Sequence, residues 1–439
     1  MKQAYIQTFG CQMNEHDSHK MQRLLDQLGY QRSETVETAD LVILNTCSVR
    51  ENPENKVYSM VGRLRKIKDK RPEMVIAVGG CVAQQEGKTI LQRQKAVDLV
   101  FGPDQIFQLE KMLDDVAQGK RGVYVAWAPR EKKIQNFIPE EELNTGEVIA
   151  GQGMIAITKG CDNHCTFCIV PQTRGTLVSR ELENIIEEAK DLINKGAVEL
   201  LLLGQNVNSY QAQGKGFIDL LKAVADLEGV KRVRFTSPHP NDWDSELTDL
   251  LASHPVICKQ LHLPFQAGSD RVLKVMRRDH TQAQYLEKLA ELREKIPSLE
   301  LSSDVIVGYP GETEEEFQET LKVINHARFY QIYSFKYSPR PGTKAEKESD
   351  SVAREVKEAR LELVLQAQKK IRAEILSGYV NQTQEILIDS AHPTERGTMQ
   401  GRTDSGIRVA VANSDLDLGD WATVKITEAK EQSLVGVVV

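Results

Sequence analysis

The sequence predicts an α/β protein in three parts. These are an N-terminal parallel-sheet α/β domain (1–140), a central, partial βα barrel (147–376) and a small, OB-like C-terminal β-barrel (377–439). Three observations predict it. Strand-like and helix-like stretches alternate through the opening part of the chain, and they alternate again through the middle. After a long charged helix the pattern changes to short β-rich runs broken by Gly, Asp and Asn. A chain of 439 residues also exceeds what one ordinary core accommodates.

In the first domain "QAYIQTF" reads as a strand, and "GCQMNEHDSHKMQRLLDQLGY" as a turn followed by an amphipathic helix. "ADLVILNTC" is a short apolar strand ending at Cys47, "EMVIAVGGC" is another ending at Cys81, and "VDLVFGP" is a fourth. Cys11, Cys47 and Cys81 each sit just past the carboxyl end of a strand. Ligands of parallel sheets bind outside that edge, so three cysteines far apart in sequence are expected to converge there. Residues 128–147, a charged stretch with Pro139 and Gly146, read as a linker.

The second alternating series begins with "GMIAITKGC", a strand that leads into a cysteine-rich loop. "VELLLLGQNVNSY", "KRVRFTSPHP", "KQLHLPFQAGS", "LELSSDVIVGYPGET" and "FYQIYSFKYSPRPGT" repeat the strand signal. Helical stretches such as "RELENIIEEAKDLINKG" and "TQAQYLEKLAELREKI" lie between them. This is the layout of a βα barrel, with chemistry expected at the strand ends. "SVAREVKEARLELVLQAQKKIRAEILSGYV" closes the domain as a long helix. "TQEILIDS", "GIRVAVA", "WATVKIT" and "SLVGVVV" then supply the strands of the small barrel.

Composition excludes several classes. Hydrophobic content of 40% and charged content of 27% fit a soluble globular chain. No apolar run is long enough to span a bilayer, and the opening residues lack the layout of a signal peptide. A cytoplasmic location, no membrane partner and reduced cysteines are expected. The net charge of −7 argues against gripping nucleic acid by bulk charge, so any RNA contact rests on local patches and shape.

The loop "GCDNHCTFCIV" carries Cys161, Cys165 and Cys168. Thiolates bind soft metals. A zinc site fills four positions and would need His164 to turn inward. An iron–sulfur cluster also usually takes four cysteines; with three, one iron stays open. S-adenosylmethionine can chelate such an iron through its amino and carboxylate groups. Buried structural thiols are the third reading, and the residues alone leave all three open. Seven cysteines, an odd number, argue against a disulfide framework. Two groups of three suggest two metal centres, and Cys258 reads as a buried core thiol.

"CDNHCTFC" resembles the cysteine motif of radical S-adenosylmethionine enzymes. "TFGCQMNEHDS", "LNTCSVRENPENK" and "AVGGCVAQQEG" resemble the three cysteine segments of methylthiotransferases. "CIVPQTRGTLVSR", "LHLPFQAGSDRVLKVMRR" and "DVIVGYPGETEEEF" extend the resemblance, and the tail resembles a TRAM domain. Within the family the nearest subgroup is the MiaB type, with "GCQMN" the most telling segment. The resemblance implies a central barrel of radical SAM type and two 4Fe–4S clusters. Cys161, Cys165 and Cys168 would hold the radical-generating one, and Cys11, Cys47 and Cys81 an auxiliary one. Family members place sulfur on the auxiliary cluster and methylate it. A radical made from S-adenosylmethionine then removes the hydrogen at C2 of N6-isopentenyladenosine 37 in tRNA, and the methylthio group moves to that carbon. Flavodoxin or ferredoxin is the expected electron donor, and the chain is expected to act as a monomer.

The resemblance also nominates a cofactor shell. The Gly204-Gln205-Asn206 turn takes the place of a motif that meets the methionine amino group, but lacks the acidic residue of many relatives. His262, Gln266 and Asp304 lie at later strand ends, and Phe167 is expected near the adenine. For RNA phosphates the candidates are Arg63, Arg65 and Lys66 in a basic amphipathic stretch, together with Arg277 and Arg278. The tail carries more acidic than basic side chains, so RNA contact there would depend on shape and a few arginines. Three rival functions remain: a relative acting on threonylcarbamoyladenosine tRNA, one acting on a ribosomal protein aspartate, and a zinc-stabilised RNA-binding protein without catalysis.

Overall fold

The structure is a computed structural model that describes residues 1–48, 53–128, 137–138, 146–412 and 415–439. The linker expected at 128–147 lies largely outside the described residues. The chain divides into two compact units. The first is Met1–Gln135 with Lys159–Asn163 and Cys168–Val178; the second is Asn136–Thr158, His164–Phe167 and Ser179–Val439.

In the first unit, strands β1 (Lys2–Thr8), β2 (Tyr30–Arg32), β3 (Leu41–Thr46), β4 (Val75–Gly80), β5 (Leu99–Phe101) and β6 (Gly122–Tyr124) pair in parallel, in the order β2-β1-β3-β4-β5-β6. The apolar run of β3 is buried along its whole length because both faces of the sheet are covered. Alternation divides the work between the faces. Val42, Leu44, Ile76 and Val78 join Val57, Val61 and Leu64 of α2 (Pro53–Lys68) in one core. Leu41, Ile43 and Ala77 join Met21 and Leu25 of α1 (Gln12–Gln27) in the other. From β1 the chain runs to β2 on one side and then to β3 on the other. That reversal is the switch point at which ligands of open α/β sheets settle. The edge strands β2 and β6 are too short to show a readable period in the sequence.

In the second unit, β7 (Gln152–Ala156), β8 (Glu199–Leu203) and β9 (Arg232–Phe235) form one parallel set. A second comprises β10 (Gln260–His262), β11 (Glu300–Val307) and β12 (Gln331–Lys336). Val233 joins the two: its N–H donates to the Val256 carbonyl at 2.9 Å, and its carbonyl accepts from Cys258 N–H at 3.0 Å. The expected partial βα barrel is therefore present. The long helix Arg354–Ser377 follows it, as expected. Cys258 is buried, as expected.

The tail closes into a barrel of β13 (Thr383–Ala391), β14 (Thr398–Arg402), β15 (Arg408–Ala412), β17 (Leu434–Val438) and β16 (Trp421–Ala429), in that spatial order. Closure leaves no free edge, and Ile386, Ile388, Val409, Val411, Val424 and Ile426 fill the interior. This barrel docks on the amino ends of the central strands through two buried arginines. Arg232 donates to the carbonyls of Arg402 (2.8 Å) and Glu385 (2.6 Å), and its guanidinium lies 4.2 Å from the Trp421 ring centroid. Arg234 donates to the carbonyls of Thr403 (2.6 Å) and Asp404 (2.9 Å) and lies 3.1 Å from the Glu199 carboxylate. Ligand chemistry is expected at the opposite, carboxyl ends of the strands.

Arg234→Ala leaves Glu199 buried with its nearest cationic partner gone, which costs about 3–5 kcal/mol for a broken buried pair. Urea unfolding of the full chain checks this. A loss below about 1 kcal/mol would show that the arginine does not hold this end of the barrel.

Candidate metal centres

Cys11 and Cys81 sit at helix starts. Cys11 is the N-cap of α1, and Cys81 opens the short helix α3 (Cys81–Glu86). The partial positive charge of a helix N-terminus favours thiolate over thiol. A glycine precedes each of these cysteines and sets the path of the chain into the helix. Gly10 has φ +113°, and a Cβ there would collide with the Cβ and Sγ of Cys47. Gly80 has φ +90°, and a Cβ would meet the backbone of Thr46. Only glycine adopts these angles without strain, so the chain passes close enough for Cys11 to reach Cys47.

Asparagines lock the arrangement. Asn14 Nδ2 donates to the carbonyls of Phe9 (2.8 Å) and Thr46 (3.0 Å), and Asn45 Nδ2 donates to the Asn14 carbonyl (2.8 Å) and Ser18 Oγ (2.9 Å). Cys47 and Cys81 are buried and Cys11 is half-buried. The thiol of Cys11 is held down to about 6, chiefly by its hydrogen bond with Cys47, against burial and helped by the charge of Arg174. The structure thus sets the three sequence-predicted cysteines at the carboxyl ends of three adjacent strands, with Cys11 and Cys47 flanking the switch point.

The second cysteine loop is anchored separately. Cys161 N–H donates to the Gly175 carbonyl at 3.1 Å, and Leu177 N–H donates to Asp162 Oδ1 at 2.9 Å. Thr166 is tied on both sides: its N–H donates to the Met276 carbonyl at 3.0 Å and its hydroxyl lies 2.8 Å from that of Tyr309. Phe167 packs with Ala267, Val272, Leu273 and Met276. Cys161, Cys165 and Cys168 are all partly accessible, and His164 is exposed. The inward turn that a zinc site would demand of His164 is not made. Among the described residues, no group of three or more His, Cys, Asp or Glu could hold a metal ion. A cluster needs no such meeting point, because each thiolate binds its own iron.

Arg278 departs from expectation. It is buried, its Nη2 donates to the Pro264 carbonyl at 2.8 Å, and its Nη1 lies 3.5 Å from Cys165 Sγ. It is therefore no surface contact for RNA phosphates. The reason is local: Arg277 ends the helix Asp270–Met276 in the left-handed conformation (φ 57°), so neighbouring arginines turn to opposite sides. Arg277 stays exposed, as do Arg63, Arg65 and Lys66 on α2.

At the carboxyl ends of the central strands, Gly204 lies against the Thr158 hydroxyl, which occupies the space a Cβ would need. Gln205 is half-buried and Asn206 is buried. Asn206 Nδ2 donates to Ser209 Oγ (2.5 Å) and Asp242 Oδ2 (2.8 Å), whereas its Oδ1 is buried without a hydrogen-bond partner. A buried acceptor of this kind fits a ligand ammonium group. His262 Nδ1 lies 3.0 Å from Ser302 Oγ, and its Nε2 lies 3.5 Å from Asp304 Oδ2. Its ring meets Tyr333 edge-on at 5.7 Å, and Tyr333 is 49% exposed although it lies on a barrel strand. Gln266 holds φ 68°, a strained value for a residue with a side chain, and bonds through its backbone to Asp304 and Ile306. His262, Gln266 and Asp304 are thus brought together, and Asn206 stands with Asp242. Sequence reasoning missed Asn14, Asp17, Arg174, Asp242 and Tyr333. Only the short spacing of Asn14 and Asp17 behind Cys11 hints at them. A cavity of about 410 Å³ near Asn208–Gln211 and Asp242–Leu247 lies beside this group. Its carboxylates Asp219 and Asp244 are engaged in helix capping.

Three family descriptions match the chain: Uncharacterized protein family UPF0004 over residues 3–102, Radical SAM superfamily over 155–324 and TRAM domain over 378–439. A tRNA-2-methylthio-N(6)-dimethylallyladenosine synthase of Syntrophobacter fumaroxidans is 43% identical, across 98% of this chain and 94% of its own length. The protein of the same name from Aquifex aeolicus is 38% identical, across 99% and 98%. Among solved structures, the radical S-adenosylmethionine methyltransferase TsrM of Kitasatospora setae, with cobalamin and a 4Fe–4S cluster bound, shares the fold. Its TM-score is 0.56 at 14% identity, over 91% of this chain and 81% of that one. With full-length relatives at this level of identity, the chain belongs to the tRNA-2-methylthio-N(6)-dimethylallyladenosine synthase family.

Proposed function

We propose that this chain is a radical S-adenosylmethionine transferase that inserts sulfur and a methyl group at C2 of N6-isopentenyladenosine, at tRNA position 37. The observation that carries the reading is the placement of Cys11, Cys47 and Cys81 at the carboxyl ends of three adjacent parallel strands, a cysteine set additional to that of the loop 160–170. A radical reaction alone needs one cluster; sulfur insertion calls for a second site that holds sulfur. In this reading segment 1–140 keeps the auxiliary cluster, 147–376 the radical chemistry and 377–439 a TRAM barrel. Cys161, Cys165 and Cys168 hold the first 4Fe–4S cluster, and Cys11, Cys47 and Cys81 the second. When bound, one supplies the electron that cleaves S-adenosylmethionine to a carbon radical, and the other carries the sulfur that the base receives.

The remaining roles fall to the protein. Asn206 Oδ1 would accept from the ammonium of S-adenosylmethionine when it is bound, with Asp242 behind it fixing the amide. This takes the place of the acidic residue that many relatives carry at that turn. Gly204 and Gln205 shape the same turn. His262, held by Ser302 and Asp304, and Gln266 order the adjoining strand ends, and Phe167 packs behind the cysteine loop. An aromatic C–H has no acidic proton, so the site must position and shield the base rather than deprotonate it. Arg63, Arg65 and Lys66, with Arg277, meet tRNA phosphates. The enzyme works as a cytoplasmic monomer, with flavodoxin or ferredoxin as electron donor. The names of the full-length relatives support the isopentenyl substrate over a threonylcarbamoyl base or a protein aspartate.

Cys165→Ala should abolish S-adenosylmethionine cleavage. Cys47→Ala should retain cleavage but yield no methylthio product on hypomodified tRNA. Chromatography of 5′-deoxyadenosine and of digested tRNA checks both, and equal loss of cleavage in the two variants would refute the division of labour. Arg63→Gln with Lys66→Gln should weaken tRNA binding and lower the salt slope by about one for each phosphate no longer neutralised. An unchanged slope would remove α2 from the RNA surface.

A further inference from the structure

Arg174 is a buried cation whose charge acts on Cys11 and Cys81. It is 3% exposed. Its Nη2 lies 2.8 Å from Asn14 Oδ1 and 2.7 Å from Asp17 Oδ2. Both partners stand on the opening turns of α1, whose N-cap is Cys11. The charge of the guanidinium also acts on Cys81 and Cys11. The short helix Val170–Thr173 that leads to it packs against α3, which begins at Cys81. One side chain therefore grips the helix capped by Cys11, while the turn before it packs on the helix that begins at Cys81.

The charge balance gives this contact a purpose. Three thiolates on a 4Fe–4S core leave a net negative charge, and reduction adds another. Asp17 adds a further negative charge at the same place. The neighbouring cation Lys159 is already paired with Asp104. Without Arg174, Asp17 would lose its ion-pair partner in a buried site beside the cysteines, which is costly in a medium of low polarity.

We infer that Arg174 is a positioning residue for the auxiliary cluster: it ties the segment packed on the Cys81 helix to α1 and, as a local counter-charge, raises the potential at which that cluster is reduced. The inference rests on the reading of Cys11, Cys47 and Cys81 as cluster ligands. The sign follows from electrostatics, since a nearby cation favours the form that has gained an electron.

The test uses the full chain with Cys161, Cys165 and Cys168 changed to Ala, so that only the auxiliary cluster is reconstituted. Iron and sulfide content, iron loss to a chelator and a redox titration followed by electron paramagnetic resonance are measured. Arg174→Gln should shift the one-electron reduction equilibrium at least tenfold toward the oxidised form, about 59 mV, and should speed iron loss. Arg174→Lys should recover most of the potential but less of the retention, because lysine keeps the charge and loses the fork. Asp17→Asn should shift the potential upward, which keeps the inference testable if Arg174→Gln fails to assemble. Parental potential in both the Arg174→Gln and Asp17→Asn variants would overturn the role of Arg174 alone. A triple-Ala background that binds no cluster would overturn the ligand reading itself, and the role of Arg174 with it.

Discussion

Parallel strand pairing is the constraint from which the chemistry of this chain follows. Parallel neighbours send all their carboxyl ends to one edge, so a residue that follows a strand meets residues that follow the neighbouring strands. Cys11, Cys47 and Cys81 follow β1, β3 and β4, which are adjacent in the sheet although far apart in sequence. The same rule places Asn206 beyond β8 and Gln266 beyond β10, whereas Asp304, expected at a strand end, lies in the middle of β11. Antiparallel pairing would scatter these residues over two edges. The turn glycines before Cys11 and Cys81 then act over only a few ångströms, bringing together ends that topology has already made neighbours.

Buried acidic groups create a charge problem that the fold answers with buried arginines. Arg174 serves the strand-end thiols, Arg278 lies beside Cys165, and Arg232 and Arg234 offset Glu199 at the far end of the central strands. Arg174, Arg232, Arg234 and Arg278 all contact backbone carbonyls or carboxylates as well. A planar donor set fixed on several acceptors stays charged and stays in place, which a single lysine could not achieve. Burial has the opposite effect where no partner compensates. The imidazole of His239 is pushed down by burial and by the nearby cation Arg278, and is neutral at physiological pH.

Much of this is legible in the sequence, and the exceptions have physical causes. The strands bearing Cys47 and Cys81 are continuous apolar runs because helices cover both faces, and such runs read clearly. The cysteine spacing of 161–168 is local, so it survives in the sequence as a motif. Arg174 is not legible. Its partners Asn14 and Asp17 lie in another domain of the sequence, and no local pattern marks a long-range ion pair. The Arg277–Arg278 pair misleads for a different reason: adjacent like residues look equivalent in sequence, yet one left-handed residue separates an exposed side chain from a buried one. The short edge strands and the asparagine clamp around Cys47 depend on tertiary pairing, which pattern and propensity do not encode.

The seating of the C-terminal barrel on Arg232 and Arg234 bears on how such a chain can change over time. A domain attached by a linker can be lost, gained or exchanged without harm to its neighbour. This one cannot, because its strand and loop carbonyls complete the polar shell of two guanidinium groups embedded in the other barrel. Removing it would strand charged side chains at an open end, and replacing it with an unrelated RNA-binding barrel would demand carbonyls and an aromatic ring in matching places. The arginines of β9 and Trp421 must therefore change together or stay, so that the interface is inherited as one trait spread over two segments of the chain.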